Sequence, residues 1–583
     1  MTYSGASVAS AVGPVPIINS INAGLPGADP TQVALCYSAD DGGAVLDPAK
    51  VAGKIVVCDR GVTARINKSL AVQQAGGVGM ILVNTSANSI NADFHFVPTV
   101  HLQNTDRAAV MAYAAAAGAT AKINASTIIY NAAAPFTASF SSRGPLVAGA
   151  GDVLKPDIIA PGQDVLAGVA PPGNHGRLFD VYSGTSMSSP HVAGLGALLK
   201  HLHPDWSPMA IKSALMTSAG DILDGPNTNP LVIFRQGAGH VRPTGAANPG
   251  LVYDSGYNDW LNFICGVQPG SFCSDFTPID PSDFNQASIA IGDLAGAQTV
   301  TRRVTNVSGG PLTMTAAVAG LTGINSAVTP PSLTLAAGET KSYTVTFTRT
   351  SAALNAYVGG QLTWTGGGYS VRSPIVIRPV ALAAPAQVEG SYSVRFGYTG
   401  PFTATARGLV ASQPTSGTVA QDPDQEFLQS DPAGTVAIPV TIPAGSTYAR
   451  FSLFDADVAS GADVDLYVYQ GTTLVGVSGN GGSNEEVNFT FATPTAAPIA
   501  LTVYAHGWGL PAGTSPFVLH KWYLGTAAAG NMTVSAPASA TLGTMGAINL
   551  SFSGLTAGTR YLGSVAYGGA AGLPNPTIVR VDP

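Results

Sequence analysis

The sequence predicts a multidomain protein in which α/β regions are followed by all-β sandwich regions. A chain of 583 residues is long enough for about three to five domains. Up to about residue 280, short apolar strands alternate with segments of helical periodicity, which is typical of α/β structure. Beyond that point apolar and polar residues alternate with a period of two between turns of Gly, Pro and Asn, which indicates β-sandwiches.

The first α/β region lies at about residues 31–133. Apolar runs at 54–58, 78–83 and 97–102 predict three short strands. Helical periodicity predicts helices over 64–75, ended by two glycines, and over 105–117, with Asn104 or Thr105 as its cap.

The second α/β region contains a turn that leads directly into a helix. Gly184 and Thr185 bring Ser186 to the helix start, and Pro190 is expected in the first turn. A hydroxyl there lies near free backbone N–H groups, which can hold an oxyanion when the hydroxyl attacks a carbonyl. The alternative for Ser186 is a plain helix cap. The apolar residues expected on one buried face of this helix are Val192, Leu195, Leu199 and Leu202.

Three further patterns complete the predicted elements. Residues 155–162 predict a buried strand that ends in a Pro-Gly turn. Ser207 and Pro208 predict the cap and first residue of another helix. Period-two alternation predicts sandwich strands at 299–307, 333–337, 342–348 and 361–365.

Composition excludes several classes of partner. Charged residues make up 10% of the chain, against a usual value of about 25%. Lys and Arg total 26 without a basic run, so nucleic-acid binding is not expected. No apolar stretch reaches the roughly 18 residues of a membrane span, so no membrane partner is expected.

The four cysteines form two local pairs, Cys36 with Cys58 and Cys265 with Cys273. Neither pair has the Cys-x-x-Cys spacing of a zinc or redox site. In a β-rich chain of low charge they favour disulfides and an oxidising compartment. Four free buried thiols are the alternative.

The sequence GTSMSSPHVAG at 184–194 resembles the nucleophile motif of the subtilisin family of serine proteases. FSSRGP at 140–145 and KPDIIAPG at 155–162 are similar to other motifs of that family. The resemblance implies a serine-type endopeptidase that hydrolyses peptide bonds through an acyl-enzyme on Ser186. It also implies a partial α/β subtilisin core.

Other segments resemble the modules of the large cucumisin-like or pyrolysin-like branch of that family. VAGKIVVCDRG at 51–61 is similar to the inserted protease-associated domain, and RVTNV at 303–307 to a fibronectin-type-III-like domain. DVDLYVY at 463–469 resembles, more weakly, the pre-peptidase C-terminal sandwich. The predicted domains are a partial core (1–30), a protease-associated domain (31–133), the core with the nucleophile (134–279), a fibronectin-type-III-like sandwich (280–382) and a C-terminal sandwich region (383–583).

The base and the oxyanion amide that the family places before its serine are not found in this sequence. His95, His101 and His175 precede Ser186, and none has the family's His-Gly-Thr context. The Asp-Thr/Ser-Gly and Ala-Gly-Asn contexts do not occur before Ser186 either. We therefore expect an N-terminally truncated chain that is inactive alone and exposes an apolar face and an unpaired edge.

The resemblance implies a secreted protein, whose signal sequence is missing from this chain, that acts on polypeptides and could form a homodimer through the protease-associated domain. No cofactor is expected. Asp463 and Asp465 could bind calcium, but without further oxygen ligands nearby solvent-facing carboxylates are favoured. The alternative functions are a non-catalytic secreted pseudoprotease or binding module, and a purely structural surface protein. The intact serine motif favours the enzyme.

Overall fold

The computed structural model describes residues 1–130, 133–268, 270–430 and 432–583, which form two compact units. Unit 1 comprises Met1–Gly292, Thr299–Thr346 and Tyr357–Ile377, and unit 2 comprises Asp293–Gln298, Phe347–Ala356 and Arg378–Pro583. The α-helices are α1 (Pro30–Ala34), α2 (Pro48–Val51), α3 (Arg65–Gln74), α4 (Asn104–Ala114), α5 (Thr185–Leu202), α6 (Pro208–Thr217), α7 (Pro230–Gln236), α8 (Pro243–Ala246) and α9 (Tyr257–Val267).

The strands of the first half are β1 (Val12–Asn19), β2 (Ile55–Asp59), β3 (Gly79–Val83), β4 (Thr99–Leu102), β5 (Thr120–Ile123), β6 (Val165–Gly168), β7 (Phe179–Tyr182), β8 (Leu251–Val252), β9 (Ile289–Leu294), β10 (Ala297–Asn306), β11 (Leu312–Gly320), β12 (Ile324–Thr329), β13 (Ser332–Leu335), β14 (Thr340–Arg349), β15 (Val358–Gly366) and β16 (Tyr369–Pro379). Those of the second half are β17 (Leu382–Ala383), β18 (Gln387–Val388), β19 (Tyr392–Phe396), β20 (Gly400–Pro401), β21 (Thr403–Ala411), β22 (Thr415–Ala420), β23 (Thr435–Ile442), β24 (Tyr448–Ser452), β25 (Asp463–Gln470), β26 (Thr473–Ser478), β27 (Glu486–Thr490), β28 (Ile499–Gly509), β29 (Thr514–Leu524), β30 (Met532–Ser535), β31 (Ser539–Ala540), β32 (Met545–Phe552), β33 (Tyr561–Gly568) and β34 (Thr577–Val581).

The first α/β region is built on a five-stranded sheet with the order β4-β3-β2-β1-β5. Strands β1 to β4 are parallel, and β5 is antiparallel to β1. Every residue of β2 is buried, as expected for a strand covered on both faces of a parallel sheet. The three predicted strands are confirmed as β2, β3 and β4.

The predicted boundary at residue 30 does not separate two folded regions. β1 lies inside the same sheet, where Ile17 pairs with Ile55 of β2 and Pro16 with Thr120 of β5. The residues assigned to a partial core at 1–30 therefore include a strand of the first α/β region. Pro14 and Pro16 conceal this strand in the sequence, because proline lacks the N–H that a ladder uses.

The helices of this region agree with the prediction to within three residues. α3 and α4 occupy the two predicted helical segments. The cap of α4 was misassigned, because the side chain of Gln103 accepts the hydrogen bond of the Asn104 N–H. α6 begins as predicted, with Pro208 first and the Ser207 hydroxyl accepting from the Ala210 N–H at 2.9 Å. Among the described residues, no helix combines the length and apolar character needed to cross a membrane.

The predicted strand at 155–162 is wrong. This segment is extended but partly exposed, and its one bridge joins Ile159 to His240. A strand requires a continuous ladder with a neighbour, and the described residues provide none here. The nearby strands β6 and β7 form a separate two-stranded ribbon.

A β-sandwich follows, with strands β12-β14-β10-β8 in one sheet and β13-β11-β15-β16-β9 in the other. Tyr343 and Trp364 are buried in it, with their ring centroids 4.9 Å apart and nearly perpendicular. The four predicted strands are confirmed as β10, β13, β14 and β15.

Two large β-rich cores lie in unit 2. One lies among the strands of the sheets β22-β29-β24-β27 and β23-β28-β25-β26, and includes Phe451, Val464 and Phe517. The other lies among β17-β19-β32-β30 and β18-β34-β33-β21, and includes Phe396 and Val565. The alternating burial of these strands accounts for the period-two pattern of the sequence.

Both predicted disulfides are present in the structure. Cys36 and Cys58 are joined across a Cα–Cα distance of 5.8 Å, and Cys265 and Cys273 across 5.6 Å. The first bond fixes the end of α1 to β2. The alternative of four free thiols is therefore wrong.

Candidate active site

Ser186 is the second residue of α5, and its side chain is exposed. Gly184 is the N-cap residue of this helix, and it has no side-chain oxygen that could accept from the first turn. Among the described residues no side chain accepts a hydrogen bond from the N–H groups of Thr185 and Ser186, which lie at the positive end of an 18-residue helix. This arrangement can donate hydrogen bonds to an anion beside the Ser186 hydroxyl.

Pro190 lies in the second turn of α5 rather than in the first turn. Because proline has no N–H, the Ser186 carbonyl lacks the bond that it would receive from residue 190 in a regular helix. The prediction of Pro190 in the first turn is wrong because the helix begins at Thr185, earlier than its apolar residues indicate.

Two hydrogen bonds hold the backbone on either side of Ser186. The Gly184 N–H donates to the Gly162 carbonyl at 2.8 Å, and the Ser188 hydroxyl donates to the Ala160 carbonyl at 2.8 Å. A Cβ on Gly162 would lie 2.3 Å from the Ser188 hydroxyl oxygen, so only glycine fits there. This close approach explains the Pro-Gly step that ends the 155–162 segment.

A polar network that the sequence did not reveal holds Ser183, three residues before Ser186. The Ser183 hydroxyl donates to Asp164 at 2.9 Å and accepts from the Asp164 N–H and the Asn91 amide, each at 2.8 Å. The Asn91 amide also donates to Asp164 at 3.0 Å. Asn91 and Ser183 are 92 residues apart in the chain, and no motif signals their contact.

The side chains of His95 and His101 are buried and hydrogen-bonded to other groups. Nδ1 of His101 accepts from the Asn91 N–H at 3.0 Å, and its Nε2 lies 2.8 Å from the Asn84 side-chain oxygen. Burial lowers the pKa of His101 to about 3 and that of His95 to about 4, so both rings are neutral at pH 7.

His175 and His191 are also engaged elsewhere. His175 lies 3.7 Å from a carboxylate oxygen of Asp40. His191 is exposed, with Nδ1 2.8 Å from the Met187 carbonyl oxygen. Within the described ranges, no histidine or carboxylate forms a hydrogen bond with the Ser186 hydroxyl.

The outer side of α5 exposes apolar side chains. Leu199 is buried against Ala210, Ala214 and Leu215 of α6, but Leu202 is 56% exposed. The predicted single buried face is therefore wrong at Leu202, because α6 covers only one side of the helix. Other exposed apolar residues of this region are Leu166, Leu178, Phe179 and Leu198.

An apolar groove of about 630 Å³ runs along α5 beyond the serine. Its walls include Pro190, Leu195 and Leu198 of the helix and Val241 and Pro243 of the facing segment. The expected exposed apolar face is thus present in the structure.

The carboxylates considered for calcium do not point to solvent. Asp465 is buried, with Oδ2 3.6 Å from Nδ1 of His506. Asp463 is partly buried, and burial together with the charge of Asp465 raises its pKa. Across the described part of the chain, no group of three His, Cys, Asp or Glu side chains could hold a metal ion. The favoured interpretation of solvent-facing carboxylates is wrong because Asp465 packs against a buried histidine.

Two regions of the chain match known domain families. Residues 49–239 match the Subtilase family, and residues 283–377 match a Fibronectin type-III domain. The first match includes the Ser186 turn, and the second covers most of the sandwich after β9.

Curated relatives with similar sequences include plant proteins. Subtilisin-like proteases SBT1.7, SBT5.4 and SBT5.3 of Arabidopsis thaliana are 41%, 38% and 39% identical to this chain over 57%, 62% and 64% of its length. The aligned parts make up 48%, 49% and 52% of those proteins. The chain therefore spans about half the length of these relatives.

Solved structures add no argument about the fold. A psychrophilic subtilisin-like protease of an Antarctic Pseudoalteromonas is 17% identical, and the alignment covers 34% of this chain and 36% of that protein with a TM-score of 0.16. The YadV chaperone is 14% identical over 19% of this chain and 64% of its own, with a TM-score of 0.13. The sequence matches support a subtilase instead: residues 49–239 match the Subtilase family, and the curated relatives named above are subtilisin-like proteases.

Proposed function

We propose that this chain carries the nucleophile of a secreted serine endopeptidase and that the nucleophile is Ser186. The observation that carries the proposal is the exposed Ser186 hydroxyl at the uncapped start of α5. In the reaction, the hydroxyl oxygen attacks the peptide carbonyl and the Ser186 N–H donates to the resulting oxyanion. Family membership supports polypeptides as the substrates.

A serine hydroxyl requires a general base and an oriented carboxylate to react at neutral pH. Neither group bonds to Ser186 within the described residues. We therefore propose that this chain is inactive alone and that its base, carboxylate and second oxyanion donor come from another polypeptide segment. Deprotonation of Ser186 then depends on association with that polypeptide.

Secretion and modular organisation belong to the same proposal. The two disulfides support an oxidising, extracellular environment. The sheet β4-β3-β2-β1-β5 with α3 and α4 would be a protease-associated domain, through which two copies of the chain could pair. Neither assignment is needed for the chemistry at Ser186.

The second candidate function is a non-catalytic pseudoprotease or binding module. The isolation of the Ser186 hydroxyl from any base among the described residues favours this candidate. In that case substitution of Ser186 would not change the function of the chain, either alone or in association with another polypeptide.

One experiment separates the two functions. The part of SBT1.7 that precedes its aligned segment is fused to this chain, and hydrolysis of a fluorogenic peptide library is measured. The proposal predicts that the fusion protein cleaves peptides while the chain alone does not. Ser186→Ala should abolish cleavage by the fusion protein.

Ser189→Ala is the matched control, because Ser189 is an exposed serine of the same helix. It should retain cleavage within about twofold, as expected for a surface substitution. Equal cleavage by the Ser186→Ala and unaltered fusion proteins would contradict the nucleophile. A folded fusion protein without any cleavage would favour the binding module.

A further inference from the structure

A second cavity, far from the Ser186 turn in sequence, lies at one edge of the parallel sheet. It has a volume of about 360 Å³ and is lined by the residues that follow β2 and β3, at 60–65 and 84–88. We call it the Arg60 pocket. Loops at the carboxyl ends of parallel strands are the usual place for ligands in α/β sheets.

Arg60 reaches this pocket with part of its guanidinium unused. Its Nη1 donates to the Ser89 carbonyl at 3.0 Å and to the Asn84 side-chain oxygen at 3.3 Å. Its Nε and Nη2 have no hydrogen-bond partner among the described residues, and no carboxylate lies within ion-pair distance. The two donors that lie side by side on a guanidinium are therefore available to a ligand.

Neighbouring arginines of the same sheet are paired differently. Arg65, which also lines the pocket, donates from Nε and Nη2 to both oxygens of Asp93, at 2.6 and 2.8 Å. Arg107 contacts Asp59 in the same two-point manner, at 2.8 and 2.6 Å. Each of these arginines shows the bidentate carboxylate contact that Arg60 lacks.

The electrostatics of the pocket favour an anion. Burial lowers the pKa of Arg60, and the charge of Arg65 lowers it further. Asp93 acts in the opposite direction, but its two oxygens already bind Arg65. Behind the pocket, the buried Lys68 donates to the Thr63 hydroxyl at 2.9 Å, which leaves the Thr63 hydrogen available. A negative group would relieve the repulsion between the guanidinium groups.

We propose that the Arg60 pocket binds a peptide carboxylate. The planar, paired donors Nε and Nη2 fit the two oxygens of a carboxylate, as the contacts of Arg65 and Arg107 illustrate. The Thr63 hydroxyl and the side chains of Ser86 and Asn88 supply further polar contacts at the pocket wall. The volume accommodates a residue or two of peptide. The proposal does not depend on Ser186 being a nucleophile.

Three peptides test the proposal by titration calorimetry on the full chain at low salt. They are N-acetyl-trialanine with a free carboxylate, the same peptide as an amide, and the amidated N-acetyl-Ala-Glu-Ala. The first should bind at least about tenfold more tightly than the second. Binding of the third distinguishes a side-chain carboxylate from a chain terminus as the source of the bound group.

Substitutions locate the binding. Arg60→Gln and Arg60→Lys should each weaken binding of the free-carboxylate peptide at least about tenfold, because both remove the paired donors. Arg143→Gln is the control, since Arg143 is exposed and donates to the Ser141 carbonyl rather than to a carboxylate. It should leave the affinity unchanged.

Three results would overturn the proposal. They are equal affinity for the free-carboxylate and amide trialanines, unchanged affinity in a folded Arg60→Gln variant, and binding of inorganic phosphate with no binding of either carboxylate peptide. The peptide comparison on the unaltered chain decides the matter even if the Arg60 variants fail to fold.

Discussion

Two serines of this chain, one in each unit, differ in which features of a hydrolytic site surround them. Ser186 in unit 1 is exposed at a helix start with unpaired N–H groups, but no base bonds to it in the described residues. Ser412 in unit 2 has a base, because its hydroxyl lies 3.1 Å from Nδ1 of His520. Nε2 of His520 lies 3.1 Å from Asp457.

Ser412 nevertheless lacks the features that make Ser186 a candidate nucleophile. Its own N–H donates to the Arg560 carbonyl at 2.9 Å, and the N–H of Gln413 donates to the Lys521 carbonyl at 2.8 Å. Neither N–H is therefore available to an oxyanion. His520 is only 8% exposed, and burial lowers its pKa.

The comparison shows that a row of serine, histidine and aspartate is not by itself an active site. Catalysis also requires donors aimed at the developing negative charge and a route for the substrate. The hydrogen bonds among Ser412, His520 and Asp457 connect segments that are far apart in the sequence. At Ser186 the helix start provides N–H donors and the side chain is exposed, and under the proposed function another polypeptide segment supplies the base.

The largest expected effect concerns activity of the SBT1.7 fusion protein. Ser186→Ala should reduce kcat/KM by about 10⁴-fold or more, because triad members act as a unit. Ser412→Ala in the same protein should change kcat/KM by less than about twofold. The measurement is steady-state hydrolysis of one fluorogenic peptide, and a large loss in the Ser412→Ala variant would reverse the assignment.

The second prediction uses pH to test the support of the Ser186 turn. His101 bonds to Asn91, whose amide holds Ser183, and the folded pKa of His101 is about 3. Above pH 6.5 the ring is neutral in both the folded and unfolded chain. As the pH falls from 6.5 towards 3, only the unfolded chain gains a proton there, so the free energy of unfolding decreases, by at most about 5 kcal/mol.

Urea unfolding of the chain and of His101→Gln at pH 7 and pH 4 measures this contribution. The variant should lose less stability between the two pH values than the unaltered chain. Equal losses would mean that His101 does not contribute to the acid sensitivity.

The third prediction concerns the hydrogen-bonded residues Ser412, His520 and Asp457. His520→Ala removes the bonds to Ser412 and Asp457 from a buried position, so the local stability of β29 should fall by about 1 to 3 kcal/mol. Hydrogen exchange of β29 peptides reports this change. His191→Ala, at an exposed histidine, is the control, with an expected effect within about 0.5 kcal/mol. Unchanged hydrogen exchange of β29 in His520→Ala would contradict a structural role for His520.

The smallest effect is expected on the outer face of α5. Leu202→Ser should change the free energy of unfolding by less than about 0.5 kcal/mol, because the side chain is 56% exposed. Leu199→Ser, at the buried position three residues earlier, should cost about 2 to 5 kcal/mol. Similar costs for both leucines, measured by urea unfolding, would mean that the outer face is covered.

The sequence predicted features that depend on neighbouring residues. The start of α6 follows from Ser207 and Pro208, and the strand β2 from its apolar run. It did not predict β1, whose prolines are accommodated by pairing with β2 and β5. The segment 155–162 has the composition of a strand, but a strand forms only where a partner is present.

In the candidate site, too, local features could be predicted from the sequence and contacts between distant residues could not. Ser186 could be selected because its motif and its helix are local. The bonds of Ser183 to Asn91 and of Ser412 to His520 join residues 92 and 108 positions apart, so no local pattern announces them. The exposure of Leu202 likewise depends on which helices cover α5.

Mapping of fluorophosphonate adducts on the SBT1.7 fusion protein tests the central claim most directly. Mass spectrometry of the labelled protein should find the adduct on Ser186 and leave Ser412 unmodified, although Ser412 lies beside a histidine. An adduct on Ser412, or none on Ser186 in a fusion protein that cleaves peptides, would contradict the account.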